Sequence, residues 1–296
     1  GNAILMEEPE PTQRPGFFSQ FSTLLGRRWR IFGRDRGQVV LQLVMILIFP
    51  MIVTIFAPKA EGVVKRFTAE ASLDLMRQVE EKETVTANQM RKGGGVSSII
   101  LMEVILLALM GSNNAAREIA GERKIMEKEK FGGMRPMAYL SSKVVFLSCL
   151  VIIQSLVMAM FVEFFWNFEG GFPVHLCFLL LANGAITAIC LGVSAIMRTA
   201  DQASLLSVYL VGFQIPLSGA LLSLPNHIEP FVRPFISAYW AWSGSISALN
   251  ASVQTAVRNT IDTGLSDGRL CAFVLIAHLF AGGLVALVGI SRARWD

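Results

Sequence analysis

Six stretches of mostly apolar residues constrain this chain more than anything else in it: Val39–Ala57, Val96–Asn113, Val144–Phe165, Val174–Met197, Ala203–Leu224 and Leu270–Ile290. Each approaches the ~20 residues an α-helix needs to cross ~30 Å of hydrocarbon. Inside a bilayer every backbone N–H and C=O must be satisfied within the protein, so runs of this length fold as helices. A soluble fold would need charge to wet its surface, about 25% of residues. This 296-residue chain has 16% charged residues, 53% hydrophobic ones and a mean hydropathy of +0.53.

The expected fold class is all-α integral membrane, with six transmembrane helices preceded by an amphipathic interfacial connecting helix. A linker or N-terminal tail is expected over 1–16, the connecting helix over 17–37 and the six-span transmembrane domain over 38–296. Three connections stand out within it: an outer charged loop 58–95, a cytoplasmic coupling loop 114–143 and an outer re-entrant or interfacial segment 225–268. The connecting helix is read from Phe17, Phe21, Leu24, Leu25, Trp29 and Phe32, which recur at three- and four-residue steps with arginines between them. Such a helix lies in the interface, apolar face down and guanidinium groups toward lipid phosphate. Pro225, Pro230 and Pro234 break the later segment, and Tyr239, Trp240 and Trp242 are expected at headgroup level. Pro216 is expected to kink the fifth span.

Lysine and arginine fix the orientation, because they are retained on the cytoplasmic side. With six spans, 16 of the 26 fall on the side of the termini and the 114–143 loop, and 10 on the other. Both termini are therefore expected in the cytoplasm of a multi-pass protein of the cell (inner) membrane. Gly1–Pro15 is polar and acidic, so the first apolar run is expected to direct insertion itself. The outer loop has nearly as many acids as bases and is expected to be a translocated charged helix.

Several functions are excluded. Cys149, Cys177, Cys190 and Cys271 form no C-x-x-C pair, and His175, His227 and His278 have no ligand spacing, so no metal site is expected. The cations flank apolar runs, which argues against a nucleic-acid partner. No G-x-x-x-x-G-K-[ST] occurs; Gly93-Gly94-Gly95 is followed by Val96. No catalytic residue and no cofactor are expected in this chain. A membrane enzyme would need convergent ionisable groups in the spans, and only Glu103 is a candidate, Glu163 flanking the outer interface.

The run Gly111–Lys143, GSNNAAREIAGERKIMEKEKFGGMRPMAYLSSK, carries a small-Asn-Ala-Ala-Arg-Glu-Ile pattern, then Glu-Arg, a charged turn, Gly, Tyr-Leu and Ser-Lys. It resembles the first intracellular loop of type-2, G-subfamily-like ABC exporter permeases, closest to bacterial half-transporters. It departs from them at Met126, Glu127, Lys128 and Glu129, where relatives often carry Arg-Glu after a tyrosine. Ala200–Pro225 is similar to the family's fifth span with its Ser-Gly-x-Leu element.

The resemblance implies the transmembrane part of an ATP-driven ABC exporter, a dimeric translocation pathway for an amphipathic or lipidic substrate. The alternative is a non-transporting membrane anchor or signalling subunit of an ABC-type ATPase complex. ATP and Mg would sit on a partner nucleotide-binding domain. That partner is either a separate chain or fused upstream, and the Pro-rich opening Glu7–Pro11 reads like an interdomain linker. The other partners implied are a second copy of the chain and membrane lipid.

Arg117, Glu118, Glu122 and Arg123 are the candidates for coupling to the ATPase. On the residues alone, Glu118, Glu122 and Arg123 also suit a solvated helix face, and Arg117 is expected to pair inward with the connecting helix. For the translocation path, Glu103 follows from the cost of a carboxylate at membrane depth. Met110 as cavity lining, Phe213, and Leu221 as a hydrophobic plug follow from the resemblance. Ser204, Ser207, Gly212 and Ser218 would let two fifth spans approach closely.

Overall fold

The structure, a computed structural model, describes residues 15–56, 75–166, 171–221, 224–225 and 227–293, with the backbone alone for 56 and 75–89. Its regular elements are helices. The connecting helix α1 (Phe17–Arg34) leads through Asp35 into α2 (Arg36–Phe56), whose backbone pairs internally as a span requires. Next comes α3 (Leu75–Ala115), 41 residues long, or about 60 Å at 1.5 Å per residue. That is twice the hydrocarbon thickness. The charged part of the expected outer loop from 75 onward is therefore the projecting first half of the span that follows, and residues 57–74 lie outside the described residues.

After α3 the chain turns through a 3-10 segment, Ala120–Glu122, into the short α4 (Arg123–Phe131). Gly133, at φ 99°, ends it in a conformation a β-carbon would disfavour. Then follow α5 (Pro136–Trp166), α6 (Phe172–Ile196) and α7 (Ala200–Leu217). The fifth span thus stops at Leu217 and not Leu224. Pro216 marks its end without kinking its middle, and Gly219 (φ 80°) turns the chain away.

The remaining helices are α8 (Glu229–Val232), α9 (Ser237–Ser247), α10 (Ala251–Arg258) and α11 (Gly268–Arg292). By length and composition, α2, α3, α5, α6 and α11 can cross a membrane. The remaining expected span, the fifth, is α7, 18 residues and about 27 Å long. Asp201, Gln202 and Gln214 make it less apolar than the membrane-crossing stretches of the other five.

Two cores stack along the bundle. One gathers Ile99, Ile100, Val104, Leu107, Leu179 and Trp242; the other gathers Ile119, Met126, Tyr139, Phe146, Leu191 and Ile290. Helices α6 and α11 run through both in close contact. A β-carbon on Gly282 would lie 2.4 Å from the Ala188 carbonyl carbon, and one on Gly289 2.8 Å from the Ala195 β-carbon.

The segment between α7 and α11 corrects one expectation. Tyr239, Trp240 and Trp242 do not rest at a headgroup surface; they are buried among α3, α6 and α11. Each polar tip has a protein partner. Trp242 Nε1 donates to the Ser97 carbonyl at 3.2 Å, Trp240 Nε1 to the Arg233 carbonyl at 2.9 Å, and the Tyr239 hydroxyl to the Gly264 carbonyl at 2.8 Å.

At its start, α9 meets the bundle well below the end of α11. The Ser237 hydroxyl lies 2.9 Å from His278 Nδ1, and His278 Nε2 donates to the Pro234 carbonyl at 2.8 Å. His278 is ten residues, about 15 Å, from Gly268 at the start of α11. At its other end α9 reaches the first turns of α6 and α11, where Gly171 N–H donates to the Ala248 carbonyl at 3.0 Å and Gly268 abuts Ser247. Residues 227–249 therefore reach into the bundle at Pro234–Ser237 and climb back to its end at Ser247–Ala248.

Candidate coupling site

At the end of the bundle opposite α9, four charges from three chain segments share one buried cluster. Arg28 of α1 reaches Glu118 in a two-pronged contact, Nε to Oε1 at 2.5 Å and Nη2 to Oε2 at 2.7 Å. Lys143 of α5 donates to Glu118 Oε1 at 3.0 Å and to Glu122 Oε2 at 2.7 Å. The side chains of Arg28, Glu118 and Lys143 are only 6%, 4% and 3% exposed, so solvent screens them little. Two cations against two carboxylates leave the cluster neutral, which is what makes its burial tolerable. Phe146 adds a face for Arg28, whose guanidinium carbon sits 4.2 Å from the ring centroid. Nearer solvent, Arg27 pairs with Glu129 of α4, and that hydrogen bond outweighs partial burial to hold the Arg27 guanidinium above its ordinary value.

A second set of contacts fastens the loop to the far spans. Arg123 Nη1 donates to the Met197, Ala195 and Ile196 carbonyls at 2.8, 3.3 and 3.4 Å, while its Nε pairs with Glu127 at 2.8 Å. Lys130 Nζ donates to the Ile290 and Ala293 carbonyls at 3.0 and 2.8 Å. The last carbonyls of a helix have no intrahelical donor and carry its negative dipole end. Arg123 thus caps α6 and Lys130 caps α11. The Ser194 hydroxyl accepts from the N–H groups of Ile119 and Ala120 at 3.1 and 3.0 Å, fixing the turn after α3 to α6 as well. Short as it is, α4 is held to α1, α6 and α11.

Deeper in the bundle lies a polar relay. Gln42 of α2 donates to Asn114 of α3, Asn114 to Gln154 of α5 at 3.1 Å, and Gln154 back to Gln42 at 2.9 Å. Asn183 of α6 joins through the same Gln154 oxygen at 3.2 Å. Such amides tie spans together where apolar contact alone gives little preference over lipid.

Three of the four coupling candidates, Glu118, Glu122 and Arg123, are brought together here, but not as a solvated face. Glu118 is buried, Glu122 is held by Lys143, and Arg123 is spent on carbonyls. Arg117 does not pair inward with the connecting helix. It points the other way, 65% exposed, with Nε donating to the Ser204 hydroxyl at 2.9 Å and Nη2 lying 3.8 Å from Asp201 Oδ1. The inward pairing belongs to Glu118 and Arg28, so α1 does not turn all its guanidinium groups toward lipid phosphate.

Arg28, Lys143 and Lys130 escape the sequence reading. For two of them the signal is in the periodicity. Arg28 continues the stripe Phe17, Phe21, Leu24, Phe32, and Lys143 continues Tyr139, Phe146, Leu150. A charge on an apolar stripe is buried and therefore paired.

The path candidates are split. Glu103 is wholly buried inside the chain, its Oε2 3.1 Å from His175 Nε2 of α6, and Met110 is wholly buried in the core. Neither faces a space between two chains. Phe213 and Leu221 are 65% and 61% exposed on the opposite side of the α7 segment. Ser207 and Ser218 also face inward, and Ser204 holds Arg117. Gly212 alone of the four small residues lies open, among Leu205, Val208, Tyr209 and Phe213. Among the described residues no His, Cys, Asp and Glu cluster could hold a metal.

Comparison with known proteins agrees with this architecture. No curated protein compared with the chain matches it. The family model described as ABC-2 type transporter matches residues 19–249, from α1 to the end of α9. That interval holds the buried cluster, the polar relay and α4, and it covers more than half of the chain. The chain is a multi-pass membrane permease domain and belongs to the ABC-2 type transporter family.

Proposed function

We propose that the chain forms one half of a dimeric translocation pathway in an ATP-driven exporter, with α4 receiving the movement of the ATPase. Membrane domains of this family work with an ABC ATPase component. The observation that carries the reading is the attachment of α4. This helix, whose tip Phe131 is 91% exposed, is joined through charge-assisted contacts to α1, α6 and α11. A push on that tip cannot be absorbed by a flexible loop and passes into the bundle as a rigid displacement. The path lies outside each protomer, along the apolar faces that α7 leaves open, and suits an amphipathic or lipidic cargo. Six spans, both termini in the cytoplasm and an inner-membrane location complete the proposal. Glu118 and Glu122 keep the loop in place; Arg123 sets its angle on α6.

Nucleotide-dependent accessibility tests this without knowing the cargo. A single cysteine at position 213, in the chain reconstituted with its ATPase, is labelled with an impermeant reagent in the presence and absence of ATP and vanadate. A rate that changes severalfold with nucleotide is expected. Phe131→Asp should abolish the change while leaving folding intact, because so exposed a side chain has little packing to lose. A labelling rate indifferent to nucleotide in the unmodified chain would instead support a static anchor.

A further inference from the structure

A groove of about 1430 Å³ opens on the flank of the bundle where α4, the end of α6 and the end of α11 meet. Its lining is divided by chemistry. Lys124, Arg198 and Arg292 stand at the rim, all exposed, and none has a carboxylate within salt-bridge distance among the described residues. The acid of the lining, Glu127, is already neutralised by Arg123. The carbonyl ends of α6 and α11, which would repel an anion, are capped by Arg123 and Lys130. Ile196, Leu284 and Val288 form the floor at 53%, 62% and 40% exposure.

We propose that this groove seats an anionic phospholipid of the cytoplasmic leaflet, its phosphate among Lys124, Arg198 and Arg292 and an acyl chain along Ile196, Leu284 and Val288. Depth decides between a lipid and a protein occupant. Leu284 lies eight residues along α11 from Arg292, about 12 Å. Above it the exposed stripe continues through Phe280, Ile276 and Phe273. A water-soluble domain can meet the cationic rim but cannot follow the floor into hydrocarbon, whereas a phospholipid has both parts at that separation. Basic pockets between spans on the cytoplasmic side recognise acidic headgroups by this combination. Since α4 forms one wall, a seated lipid braces the coupling loop against α6 and α11. The inference needs this end of the bundle to be cytoplasmic, but not that the chain transports anything.

Native mass spectrometry of the delipidated chain tests it, with dioleoyl phosphatidylglycerol, dioleoyl phosphatidylcholine and inorganic phosphate as probes. Phosphatidylglycerol should fill one site per chain, on the order of 100-fold more tightly than phosphatidylcholine, at about fivefold per cation. Replacing Lys124, Arg198 and Arg292 together by alanine should bring it down to the phosphatidylcholine level, and Lys124→Ala alone should cost about fivefold. Val288→Asp, which keeps the cations, should weaken both lipids. Helicity and elution volume show that each variant is folded, and the single substitution serves if the triple one is not. Equal affinity for the two lipids would overturn the proposal. So would displacement by millimolar inorganic phosphate, which would mean a free-anion site. Displacement of the lipid by the ATPase, with the three cations protected from modification, would make the groove a protein-docking face and equally refute it.

Discussion

Glu118 shows what one residue decides in this molecule. It answers two cations at once, Arg28 and Lys143, from a position almost without solvent. Removing it leaves a net buried positive charge, a change that costs about 3–5 kcal/mol in comparable pairs. Glu118→Ala is therefore expected to lower the melting temperature in detergent and the amount of chain in the membrane. Pairing Glu118→Leu with Arg28→Met should recover most of the loss, since Lys143 keeps Glu122. Arg117→Ala, one position earlier, should stay within about 0.5 kcal/mol, because its partners Asp201 and Ser204 lie at the surface. Wild-type abundance and melting for Glu118→Ala would mean the cluster is not structural. The sequence shows that these residues are charged and helically spaced, but the sign of burial depends on α1 folding back against α5. Only Arg28 and Lys143, each placed on an apolar stripe, betray that contact in advance.

At the scale of elements, two adjacent glycines in α11 should behave oppositely. A β-carbon on Gly282 would meet Ala188 backbone atoms at 2.4 and 2.6 Å, whereas one on Gly283 would meet nothing within 4 Å. Gly282→Ala must push α11 from α6 or distort one of them, an overpacking cost of about 1–3 kcal/mol. Gly283→Ala should be neutral or stabilising by up to about 1 kcal/mol, since alanine is the better helix former. Thermal unfolding of the two variants checks both signs, and equal behaviour would contradict the close α6–α11 approach.

Helix existence was the most legible feature, because bilayer length and internal hydrogen bonding leave few options. Boundaries were less so. The apolar run Ala203–Leu224 continues past the helix because Leu221 and Leu224 are as apolar as a span, while Pro216 and the left-handed Gly219 end it. Tyr239, Trp240 and Trp242 misled for a different reason. Aromatics with polar tips suit an interface and a core equally well, and the partners that settle the matter, Ser97 and Gly264, are supplied by distant parts of the chain.

The whole molecule has one side that lacks an explanation within a single chain. Lipid-facing helices need no polar groups, and α11 presents Phe273, Phe280 and Leu284 outward in that manner. On α7 the outward face holds Leu205, Val208 and Phe213 but also Tyr209 and the open Gly212. A hydroxyl and a missing side chain are poor lipid contacts and good helix-to-helix ones, since small residues bring backbones together and polar groups bond across them. The α7 face is therefore the proposed contact between two copies, with the second and fifth spans toward the centre and α11 at the periphery. A cysteine at 213 should form an intermolecular crosslink in native membranes, and one at 280 should not.

Orientation can be read from the same cells. On the proposed orientation, which rests on the 16-to-10 cation bias, position 128 is expected inside and position 80 outside. An impermeant thiol reagent should then label a cysteine at 80 in sealed right-side-out cells, and reach one at 128 only after permeabilisation. Crosslinking through 280 instead of 213 would move the dimer axis to α11, and the lipid groove would have to close with it. Labelling at 128 but not at 80 would invert the molecule and place α4 where no ATPase could reach it. The expected pair of results leaves α4 facing the ATPase, α7 facing its copy and α11 facing lipid, the arrangement that a push on Phe131 needs in order to move one protomer against the other.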